Sequence, residues 1–123
     1  LLTTRVSIRW FLSQSFAGTV DEGLVEYSYL SSHQPGARFA PFYFVSGLLF
    51  TADNRQRLYD PITHPVLVIH DEDAYTRFDH LPAYVAAHDN WQSERIVPTR
   101  GLAHYERPEK TSEAMERFWA SLQ

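Results

Sequence analysis

Apolar residues recur at helical spacing through the first half of the chain and then collapse into an uninterrupted run. Ile8, Phe11, Leu12 and Phe16 share one face of a 3.6-residue helix, with Ser7 placed to cap it and Gly18 to end it. Thr19-Val20-Asp21-Glu22 has the Thr-x-x-Glu form of a capping box, and Leu24, Tyr27 and Leu30 carry a second helix as far as about Ser32. His33-Gln34-Pro35-Gly36 is a turn by composition, Pro fixing φ and Gly permitting a left-handed residue. Residues 39–50 are then dense in apolar and aromatic side chains, among them Phe39, Phe42, Tyr43, Leu49 and Phe50. A third helix is expected there, with Pro41 in its first turn, although Gly47 lowers helix propensity by about 1 kcal/mol relative to Ala.

The spacing changes at Pro61. Val66, Leu67, Val68 and Ile69 are four apolar residues in a row, three of them β-branched, which suits a strand covered on both faces. Asp79 or His80 can cap a following helix with Pro82 early in it and Leu81, Val85 and Ala86 facing inward, closed by His88-Asp89-Asn90. Residues 91–97 alternate towards a second strand, and Pro108 opens a last amphipathic helix with Ala114, Met115, Phe118 and Leu122 on one face. Glu113 and Arg117 stand at i,i+4 spacing for an ion pair on that helix. Strand, helix and strand in this order predict a parallel pair joined by a right-handed crossover. The fold class expected is therefore α/β, with residues 1–60 forming a helical lid or cap and residues 61–123 a strand-helix-strand-helix part.

Composition narrows the function classes. A net charge of −4, with 11 Lys and Arg scattered singly, gives no basic stripe for a phosphate backbone, so nucleic acid is not an expected partner. No apolar stretch approaches the length of a membrane span, and no membrane partner is expected. Zero cysteine excludes disulfides and thiolate metal sites and fits a cytoplasmic setting. The chain opens on Leu1-Leu2-Thr3-Thr4, with its single Met at position 115, and is expected to be the C-terminal portion of a longer protein.

Candidate chemistry begins where the apolar run ends. Asp71, Glu72 and Asp73 follow it almost at once, at the carboxyl edge where open α/β sheets place their ligands. A solvated acidic turn or a helix cap is the plain alternative. Farther on stands Gly101-Leu102-Ala103-His104-Tyr105-Glu106-Arg107-Pro108-Glu109. Together, the acid-tipped strand, the crossover helix, this Gly-x-x-His-x-Glu-x-Pro-Glu segment and the final helix resemble the C-terminal part of the α/β-hydrolase fold. In that family nucleophile, acid and histidine follow one another along the chain.

The resemblance implies Asp73 as the triad acid, with Asp71 as the fallback, and His104 as the base. It implies an ester-like small apolar substrate beneath an aromatic lid contributed by Phe42, Tyr43 and Phe50. No Gly-x-Ser-x-Gly occurs, so the nucleophile would come from a missing N-terminal half of the same fold. Two departures stand against the family pattern. Strict counting from the strand puts Ala74 in the acid's place, and counting back from Pro108-Glu109 puts Gly101 where the family's histidine stands. Either the acid and histidine loops have shifted together and still meet, or the catalytic positions are lost and a non-catalytic binding or interaction module remains on the same scaffold.

The remaining histidines add little. His64 precedes Pro65, His70 ends the strand, and His80 and His88 belong to a surface-like helix. His70, Asp71 and Asp73 could approach one ion, yet adjacent strand residues point to opposite faces and no His-x-x-x-His spacing exists, so neither a metal nor another cofactor is expected. Glu106 and Glu109 most simply serve the helix start and hydrogen bonding within the loop. A small-molecule substrate is the expected partner, with homo-oligomers as a further expectation.

Overall fold

The computed structural model describes residues 3–48, 50 and 52–123. Leu49, counted above in the third apolar segment, lies outside the described residues. The architecture is mixed α/β: a helical N-terminal region, then two parallel strands with a helix between them.

Helix α1 spans Arg5–Ser13 and α2 spans Glu22–Ser32. The caps differ from those the sequence suggested. Thr4, not Ser7, caps α1 by accepting from the Ser7 amide, and Asp21, not Thr19, caps α2 by accepting from the Leu24 amide at 2.6 Å. Asp competes well with Thr at a cap, and its carboxylate also meets the positive end of the helix. The two helices enclose a small core of Ile8, Phe16, Val20 and Val25, against which Leu12, Leu24, Tyr29 and Leu102 pack. Arg5 with Glu26 and Arg9 with Glu22 form paired ion pairs across their exposed side.

Helix α3, Phe39–Val45, is shorter than expected. It stops at Ser46 because Gly47 takes φ +76°, a left-handed conformation that ends helices and that side-chain-bearing residues avoid. No residue of α3 is buried. The polar stretch after it contains one π-helical turn, Arg55–Tyr59. No strand occurs before Pro61 among the described residues.

Strand β1, Val66–Glu72, and β2, Trp91–Arg100, both run longer than the apolar pattern indicated. They pair in parallel from Val66 opposite Trp91 to His70 opposite Arg95, and the register then shifts so that Glu72 meets Arg100. The crossover helix α4, Leu81–Ala86, has Pro82 in its first turn, where a missing N–H does no harm. A short helix α5, Ala103–Glu106, leads into α6, Pro108–Ala120, which buries Thr111 and Ala114. Glu113 and Arg117 on α6 do pair, at 3.9 Å. Among the described residues no helix is long and apolar enough to cross a membrane.

Candidate functional site at the carboxyl edge of the sheet

A parallel pair sends both of its exit loops to the same edge, and here that edge gathers the acids after β1 and the Gly101 to Glu106 segment after β2. The three carboxylates behave differently because the strand ends in a register shift. Asp71 sits at the shift with its side chain 4% exposed. One oxygen accepts from the Thr99 amide at 2.9 Å and the other from Arg95 Nε at 2.7 Å. Burial pushes its carboxyl up, but the Thr99 amide, the Arg95 guanidinium and the Glu72 amide outweigh that and hold it below the usual carboxylate range. Asp71 thus takes up a backbone donor left over by the irregular pairing.

Asp73 makes a different local structure. Its Oδ1 accepts from the Tyr75 and Thr76 amides, both at 2.7 Å, which is an Asx turn. Its other oxygen, Oδ2, lies against Gly101. A Cβ placed on Gly101 would stand 2.8 Å from that oxygen, closer than real Cβ atoms come to any neighbour. Gly101 has φ +96°, so a side chain there is disfavoured twice over.

The hydrogen bond expected between Asp73 and His104 is not formed. His104 lies on α5, with its residue exposed and its ring 4.8 Å from that of Tyr105. Where the sequence predicts a loop, His104 stands on a short helix. Ala74, at the strictly counted acid position, is exposed on the same turn. His70 packs its ring 5.1 Å from Phe78; burial, aided by the nearby Arg95 charge and opposed by Asp71, lowers its pKa below the ordinary histidine value.

An open cleft of about 560 Å³ fronts this edge, lined among others by His70, Asp73, Arg77, Arg95 and Arg100. Phe42, Tyr43 and Phe50 line neither it nor the second large cleft, and they are 69%, 52% and 66% exposed. Phe50 instead packs against Phe44, centroids 5.3 Å apart. Among the described residues, no group of three or more His, Asp or Glu side chains is arranged to hold a metal ion.

One residue joins the two halves in a way its sequence position only hinted at. Glu106 accepts at Oε1 from the Ala17 and Gly18 amides, at 2.7 and 3.2 Å, and at Oε2 from the Arg100 amide at 2.7 Å. The last of these is the expected bonding within the loop. The first two fasten the α1–α2 connection onto the end of β2, helped by Phe16 packing near Tyr105.

The chain was compared with protein-family models, with curated proteins and with solved structures, and none of them matches it.

Proposed function

We propose that this chain is a non-catalytic binding or interaction module on an α/β-hydrolase-like scaffold. The observation that carries the reading is the placement of the Asp73 carboxylate over Gly101. In a hydrolase of this type the acid orients an imidazole and stabilises it once protonated. Here the carboxylate is occupied on one side by its own turn and faces a residue without a side chain on the other. The exposed His104 is then a surface group at the start of the closing helices.

A second reading keeps His104 as base and Asp73 as acid of an esterase whose serine nucleophile lies outside this chain. It draws support from one fact, that both residues leave parallel strands at the same edge. The two readings differ in ester turnover. The assay needs the segment that would supply the nucleophile joined to this chain; with p-nitrophenyl butyrate as substrate, the binding reading then expects the same background rate for that protein and for its His104→Ala and Asp73→Asn variants. A general base contributes about 10²–10⁴-fold, and a loss of that size in His104→Ala would establish the esterase instead.

A further inference from the structure

We infer that the face of the sheet beneath α4 carries a binding slot for a small planar aromatic anion, the ligand of the module proposed above. The inference rests on that reading for its biological sense, but its geometry is separate from the acidic edge. The slot has a volume of about 740 Å³, within the range of about 300–1,000 Å³ usual for small-molecule sites.

Its walls are flat and apolar. Val68 of β1 and Trp91 of β2 form the floor, Leu81 and Tyr84 of α4 one side, and Tyr59 of the π-helical turn another. The rings of Tyr59 and Tyr84 stand edge-on to the Trp91 indole, with centroids 6.0 and 5.1 Å from it. Such an array takes a flat ring by stacking or edge contact.

Two features choose an anion. Arg55, Arg77 and His80 line the slot, and among the described residues no carboxylate lines it. Asp60, which accepts from the Tyr84 hydroxyl at 3.0 Å, and Asp79 stand 3.5 and 3.4 Å from the two guanidiniums, Arg55 also lying over the Tyr84 ring at 5.3 Å; both arginine side chains are largely exposed, and such loose surface pairs yield to a better-placed anion. Trp91 supplies the second feature. It is 9% exposed, and its indole Nε1–H has no acceptor among the described residues, whereas buried donors nearly always have one. An acidic group carried into the slot that Trp91 lines would offer that acceptor.

The test uses two fluorescent probes with the same rings, 8-anilinonaphthalene-1-sulfonate and the uncharged N-phenyl-1-naphthylamine. Both should bind saturably at one site. Arg55→Gln should weaken the sulfonate about tenfold, as loss of one charge-assisted contact implies, and leave the uncharged probe unchanged. Ala83→Trp, from an exposed position on α4 that lines the slot, should weaken both; Ala87→Leu serves if circular dichroism shows that variant unfolded. Phe42→Ser, on the exposed α3, should alter neither. Absence of saturable binding, loss of binding in Phe42→Ser but not in the slot variants, or an unchanged sulfonate affinity in Arg55→Gln would each overturn the inference. A fall in ester turnover in His104→Ala, assayed with the nucleophile-bearing segment joined to this chain, would refute the non-catalytic reading without changing any of these probe results.

Discussion

The Asp73 carboxylate rests against Gly101, its Oδ2 2.8 Å from where a side chain on that glycine would begin. The contact joins the loops leaving both strands, and it demands glycine on two counts, the close approach and the positive φ. Gly101→Ala should therefore destabilise the fold by about 1–3 kcal/mol, the usual scale for a residue forced into a disfavoured backbone region. Urea unfolding measures it. Combining Gly101→Ala with Asp73→Ala should cost less than the sum of the two, because the second change removes the oxygen that the new methyl meets.

Glu106 is the tie between the helical region and the sheet. Its replacement by Ala leaves the Ala17, Gly18 and Arg100 amides without their acceptor, and hydrogen bonds to charged groups contribute about 1.5–3 kcal/mol. Amide hydrogen exchange should accelerate at those three positions and stay unchanged in the middle of β1. Equal protection in Glu106→Ala would show that the apolar core around Phe16 holds the two parts together unaided.

As the pH is lowered, stability should fall first through His70 and then, in the carboxylate range, through Asp71 together with Glu22 and Glu26, which their arginines also hold below the ordinary value. His70 and Asp71 both have folded-state pKa values below their ordinary ones of 6.5 and 3.8. For each, the unfolded chain binds the proton more readily. The stabilisation is complete above the ordinary value and is lost as pH falls through the lower folded value. His70→Phe should remove the loss that begins near pH 6.5, and Asp71→Asn should reduce the one in the carboxylate range. Chemical denaturation at a series of pH values resolves the two.

The exposed aromatic face of α3 contributes little to the fold. Phe42→Ser and Phe44→Ser should leave unfolding midpoints within the range of about 0.5 kcal/mol typical of surface changes, while reducing self-association in sedimentation. A large destabilisation would mean that these rings are covered in solution.

Legibility followed the length of the signal. Val66 to Ile69 reads as a strand because four apolar residues in a row admit little else, and Pro82 marks the start of α4 by its own chemistry. The carboxyl edge followed from chain order alone, since parallel strands bring their exits together. Competing local choices were harder to read. Thr19 and Asp21 both offer a cap, and only packing of Val20 into the α1–α2 core decides between them. Gly47 shortened α3, a possibility its low propensity signalled without locating. The His104 position turned on a four-residue helix too short to leave a periodic pattern. The Ala17 and Gly18 partners of Glu106 lie 89 and 88 residues away, beyond the reach of any local rule. Trp91 reads from its neighbours as the start of a strand; its spacing from Tyr84 and His88 is the hint of a shared aromatic surface.

The placement of the Asp73 carboxylate is the claim on which the functional reading turns, and isotope-edited NMR of the protein measures it directly. The account predicts nuclear Overhauser contacts from the Asp73 β protons to Gly101 Hα and to the Tyr75 and Thr76 amides, with none to the His104 ring. A contact between the His104 ring protons and the Asp73 β protons, lost in Asp73→Asn, would contradict it and restore the acid–histidine couple.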